Sequence, residues 1–180
     1  MAMKISRLLA LTFVVLSSIS LQAQLGLYGA FTAQDLGPNS NGYNFLGGTF
    51  GAYLASGQLA LLSAGVDLRG SFANSSGNSF DSGSIGPRIS LNTHILPIHP
   101  YVEAMVGVGR LSVPGESLGS VTKFEYQFLG GLDFTILPRI DWRVAEFSYG
   151  GLSTFNNSSF HPKSLSSGIV LRLPRFLPLP

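Results

Sequence analysis

The feature that most restricts this chain is a two-residue alternation of apolar and polar side chains, held well beyond the length of an ordinary strand. From Ala60 to Phe72, the residues Ala60, Leu62, Ala64, Val66, Leu68, Gly70 and Phe72 fall on one face, against Ser63, Gly65, Asp67, Arg69 and Ser71. From Phe124 to Ile136, the residues Phe124, Tyr126, Phe128, Gly130, Leu132, Phe134 and Ile136 oppose Glu125, Gln127, Gly131, Asp133 and Thr135. A period of two is the signature of a strand with two unlike faces. The pattern recurs at Ile85–Ile95, Tyr101–Gly109 and Leu165–Leu173, and more weakly at Leu25–Gln34, Tyr43–Ala55 and Ile140–Gly150. No stretch after Gln24 keeps helical spacing without a Gly or Pro interruption. Eight strands are therefore expected, most of them near the length of about 9–11 residues that a tilted bilayer crossing requires.

The connections sharpen this expectation. Asp35–Gly42, Ala73–Ser84, Ser112–Thr122 and Gly151–Lys163 read as long and polar, whereas Ser56–Gln58, Leu96–His99 and Leu137–Arg139 read as short. Long and short connections at opposite ends belong to an up-and-down barrel in an outer membrane. Composition fits the same reading. Charged residues are only 11% of the chain, against about 25% in an average soluble domain. The polar rows favour Ser, Thr, Asn, Gln and Gly over Lys and Glu. That suits a narrow packed lumen, with the apolar rows turned out to lipid. Pro87 lacks a ladder donor and is expected at a bulge or at the loop end of its strand. Tyr28, Tyr43, Tyr53, Tyr101, Trp142 and Tyr149 lie near expected strand ends, as interfacial girdles would.

The first 23 residues form a separate unit. Lys4 and Arg7 precede an uncharged apolar run from Leu8 to Ser20, and Ala23 offers a small residue before a cut at Ala23–Gln24. This is the pattern of a secretory signal peptide, too short in its apolar part to span a bilayer. Its removal leaves equal numbers of basic and acidic residues. No basic stripe then remains for nucleic acid. The chain has no cysteine, so disulfides, thiolate metal sites and cysteine nucleophiles are excluded.

On these residues the chain resembles the small eight-stranded outer-membrane barrels of the OmpA and OmpX kind. Pro100–Leu111, PYVEAMVGVGRL, resembles their fifth strand, with Glu103 turned inward. Ser166, Gly168, Leu171 and Leu173 resemble their C-terminal assembly signal, which implies recognition by the barrel-insertion machinery. Leu173 replaces the usual terminal aromatic residue, and a proline-rich tail, residues 174–180, follows it. The expected organisation is a signal peptide at 1–23, an all-β, antiparallel eight-stranded transmembrane barrel at 24–173, and the tail.

Charges on the polar rows are the candidate site. Asp67, Arg69, Arg88, Glu103, Glu125 and Arg143 are expected to form a plug of ion pairs, with Glu103 and Glu125 meeting Arg88, Arg69 or Arg143. The histidines His94, His99 and His161 lack a serine and a carboxylate at compelling spacing. No catalytic residue, cofactor or metal is expected. The expected partners are outer-membrane lipids, the assembly machinery and unknown surface partners at the outer loops of a monomer. A narrow channel or hydrophobic-ligand conduit is the alternative, with a lipid-modifying enzyme or a soluble ligand-binding barrel behind it.

Overall fold

The computed structural model describes residues 24–36, 44–59, 61–75, 77–93, 96–112, 120–152 and 161–174. Eight strands run antiparallel in sequence order: β1 (Gln24–Asp35), β2 (Asn44–Leu59), β3 (Leu62–Ser75), β4 (Asn78–Leu91), β5 (Ile98–Ser112), β6 (Ser120–Leu137), β7 (Ile140–Leu152) and β8 (Lys163–Arg172). They close into a barrel. The seam between β1 and β8 is paired from Gly26↔Arg172 to Asp35↔Lys163. Closure leaves no strand edge, so backbone N–H and C=O groups are satisfied between neighbours all round the wall.

The alternation sets the two faces. Phe31, Leu68 and Phe128 point outward and are 63%, 60% and 61% exposed. Inward positions on the same strands, Thr32, Asp67, Arg69, Glu125 and Gln127, are buried. The polar rows therefore line the inside and the apolar rows cover the outside, the reverse of a soluble barrel.

Three expectations about the wall are corrected. Ala73–Ser84 is not a long loop. β3 and β4 continue through it as far as the Ser75↔Asn78 pair, beside which Gly77 has φ of 88°. Glycine enters that left-handed region without the steric penalty of a Cβ, so the hairpin closes tightly. Strict alternation of long and short connections fails there, and again at 92–97, which separates β4 from β5. Pro87 is in mid-strand and makes no bulge. The β4–β5 register is the same on both sides of it, at Ile85↔Val106 and Arg88↔Glu103. Bulges occur instead between Ser56 and Gln58, in the β6–β7 pairing, and between Arg143 and Glu146. Finally, Tyr28, Tyr53 and Tyr101 do not form an interfacial girdle. They are buried in the bore. Trp142 and Tyr149 do face outward, and Tyr43 lies outside the described residues.

Each lumen tyrosine sits directly opposite a glycine on the next strand: Tyr28↔Gly51, Tyr53↔Gly26 and Tyr101↔Gly131. The phenol lies across the glycine so closely that a Cβ there would overlap the ring. An absent side chain thus gives a large one room to lie flat against the wall, which covers glycine backbone and fills the bore.

Candidate functional site, the charged lumen

The bore is layered. At its middle, three guanidiniums meet four carboxylates. Arg88 on β4 bonds Glu103 on β5 at 2.5 Å and Asp133 on β6 at 3.1 Å, and stands 3.7 Å from Asp67 on β3. Arg143 on β7 bonds Asp133 at 3.1 Å and Glu146 at 2.9 Å. Arg69 on β3 reaches across to the same Glu146 oxygen at 2.6 Å. All seven are buried. Buried charges persist only when paired and hydrogen-bonded, and Arg suits this through its fixed fork of donors.

The lumen tyrosines complete the network. Tyr28 donates to Asp67 at 2.8 Å and accepts from Arg69 at 3.2 Å, while Tyr101 donates to Glu146 at 2.5 Å. The Arg88 guanidinium carbon stands 3.7 Å from the Tyr101 ring centre and 4.3 Å from that of Tyr53. The corresponding Arg143 carbon is 4.1 Å from the Tyr28 centre. Desolvated cation–π contacts of this kind reinforce the ion pairs.

Glu125 is a correction: it does not join the plug. Its carboxylate accepts from Gln127, and none of the three central arginines forms an ion pair with it. Glu146 was missed from the sequence because of the β7 bulge. Arg143 and Glu146 are three apart, which strict alternation assigns to opposite faces. The register shift between them returns Glu146 to the lumen. Asp141 and Arg172, joined at 2.6 Å at the end of the barrel where the termini lie, were missed as well. The signal for Arg172 was present in the polar row of β8, where it opposes Leu171.

Above the ionic layer lies a belt of hydroxyls. Ser166, Thr32, Thr49 and Ser71 bond in series at 2.9, 2.7 and 3.0 Å across β8, β1, β2 and β3, spanning the seam. Beyond it, at the end opposite the termini, Leu36, Phe45, Ala73, Phe80 and Leu152 form a buried apolar cap. The bore is thus filled by side chains along its length, as an eight-stranded barrel allows.

Of the residues resembling an assembly signal, Ser166 faces the lumen, Leu171 faces outward, and the Leu173 amide donates to Leu25 at 2.8 Å. Gly168 packs so close to Gly29 and Ala30 that a Cβ would overlap β1. Gln24 opens β1, whereas Ala23 lies outside the described residues. His99 and Thr135 are 3.1 Å apart at the terminal end, and the Thr135 hydroxyl also bonds Asp141 and Arg172. That hydroxyl is fully engaged and is not held as a nucleophile. His161 stacks on Tyr149, and His94 lies outside the described residues. Among the described residues, no three His, Asp or Glu side chains come together as a metal site would require.

A closed eight-stranded barrel with an apolar exterior and an ionic bore has the fold of the small outer-membrane β-barrels. Among solved structures, the chain is similar to Neisserial surface protein A, with a TM-score of 0.55, 19% identity, and coverage of 84% of this chain and 97% of that one. It is similar to the N-terminal β-barrel domain of Pseudomonas aeruginosa OprF, with a TM-score of 0.55, 14% identity and coverage of 84% and 100%. It is also similar to Ail, the attachment invasion locus protein of Yersinia pestis, solved with the heparin analogue sucrose octasulfate, with a TM-score of 0.51, 14% identity and coverage of 84% and 97%. No protein-family model and no curated protein sequence matches the chain.

Proposed function

We propose that the chain is a monomeric, integral barrel of the outer membrane of a double-membrane bacterium, with a structural and surface-interaction role and no catalysis. The observation that carries this reading is the inversion of its faces. The exterior is a belt of exposed Leu, Val, Ile and Phe, while buried Arg, Asp and Glu are turned inward and paired. In water such an exterior would aggregate; in lipid it is the stable arrangement. Residues 1–23 would direct export and be removed at Ala23–Gln24. Ser166, Gly168, Leu171 and Leu173 would present the last strand to the assembly machinery. Contact with surface partners falls to the connections between β1 and β2, β5 and β6, and β7 and β8, which leave the wall at the end away from the termini. The likeness to a protein named for the neisserial surface and to an attachment protein supports that role.

The channel reading draws on the polar bore. Against it stand the ionic layer and the apolar cap, which fill the same space. Membrane fractionation tests the proposal: the chain is expected in the outer-membrane fraction, with a heat-modifiable gel mobility. Recovery as a soluble periplasmic species without detergent would overturn it.

A further inference from the structure

We propose that the outer end of the wall, where β7, β8, β1 and β2 adjoin, seats one saccharolipid of the outer leaflet, an acylated and phosphorylated amino sugar; this rests on the outer-membrane reading above. Two lateral rows of outward-facing residues carry the proposal. The lower row runs Phe147, Leu165, Ala33 and Leu46, each opposite the next on the adjoining strand. Phe147, Leu165 and Leu46 are apolar and exposed. Ala33 ends at a methyl group between two leucines, so the row sinks over β1. The groove there has a volume of about 520 Å³, within the range of about 300–1,000 Å³ usual for ligand sites. The upper row, two residues nearer the connections along each strand, runs Tyr149, Lys163, Asp35 and Asn44. Its last three residues border the same groove.

An apolar row below a polar row is the profile of a membrane lipid, with its chains below and its head above. Tyr149 marks the level of the heads, because an outward tyrosine belongs at the membrane interface. Lys163 is exposed, and among the described residues no carboxylate pairs with it. Its ammonium can donate to a phosphate oxygen. Asp35, which has contacts of its own, stands opposite Lys163 across the seam. A carboxylate there repels a head that is anionic throughout and suits one that also carries hydroxyl and amide N–H donors. An acylated, phosphorylated amino sugar offers phosphate, hydroxyl and amide together, whereas phosphatidylglycerol has no amide. His161 stacks on Tyr149 with the ring planes 3° apart. The electron-rich face of such a pair meets the C–H face of a sugar ring. The leaflet follows from position, since both rows lie at the end of the wall opposite the termini.

The test uses the mature barrel folded into phosphatidylcholine vesicles doped with lipid A or, separately, with phosphatidylglycerol at the same mole fraction. Native mass spectrometry after mild detergent extraction counts the lipid each barrel retains. The wild-type barrel should saturate at one lipid A and retain phosphatidylglycerol several-fold less. Ala33→Trp fills the groove and should abolish the adduct. Lys163→Gln should need about tenfold more lipid A for half occupancy, since it loses the one ammonium at the rim. Val108→Trp, outward on β5 and away from both rows, should bind as wild type does. Equal retention of the two lipids, or an adduct that survives Ala33→Trp, would overturn the proposal. Should Ala33→Trp fail to fold, unchanged half occupancy in Lys163→Gln would overturn it alone. An inserted barrel bare of lipid A sinks this proposal only, whereas a barrel that enters no vesicle sinks the outer-membrane reading with it.

Discussion

Arg69 on β3 and Glu146 on β7 meet at 2.6 Å across the full width of the bore, because their strands are four apart in a ring of eight. The contact ties opposite walls together. The same Glu146 oxygen also accepts from Arg143 and Tyr101, so one atom joins β3, β5 and β7. A conservative change there should be felt by the whole barrel.

Glu146→Ala leaves the buried Arg69 without its carboxylate and takes from Arg143 one of its two, and should destabilise the barrel by about 3–5 kcal/mol, the usual cost of breaking a buried pair from one side. Glu103→Ala should fall in the same range, since Arg88 loses its shortest partner. Urea unfolding in vesicles, followed by Trp142 fluorescence, measures both. A loss below about 1 kcal/mol, the scale of exposed pairs, would mean that the bore is wet.

Neighbouring residues test the faces. Phe128 points out and Gln127 points in, beside Glu125. Phe128→Arg should cost about 2–4 kcal/mol if the site lies near the bilayer midplane. Gln127→Arg places its charge next to a carboxylate and should cost less. Insertion yield into vesicles compares the two, and equal tolerance would contradict the face assignment.

Much of this was legible in the sequence where alternation is unbroken. Leu62–Phe72 alternates without interruption and Phe124–Ile136 with only Leu129 out of pattern, and the structure keeps their faces. β7 was harder to read because a bulge reverses its parity, and that reversal hid Glu146. The segment Ala73–Ser84 resembled a loop because its Ser, Asn and Gly are turn formers, yet it is paired strand on both sides up to Ser75↔Asn78. Residue type also misled for the tyrosines. An aromatic ring suits a membrane interface or a packed bore equally well, and only pairing with Gly26, Gly51 and Gly131 decides between them.

Those glycines yield a prediction of their own. Gly131→Ala would push Tyr101 off the wall, and Gly51→Ala would push Tyr28 off it and also crowd the Leu68 carbonyl. Each should lose the phenol's buried hydrogen bonds, at about 1–3 kcal/mol. Gly29→Ala and Gly83→Ala meet nothing within 4 Å and are the controls. Being on the lipid side, they should stay within about 0.5 kcal/mol of wild type. The same unfolding assay separates the pairs.

The measurement that bears most directly on a sealed structural barrel is the conductance of the purified, folded protein in a planar bilayer. With the ionic layer and apolar cap intact, the wild-type barrel should give no resolved current steps. An Arg69→Ala/Glu146→Ala variant, which removes the strut across the bore, is expected to open small ones if it inserts. Stable, reproducible steps from the wild-type barrel would contradict a closed lumen and establish the narrow channel in its place.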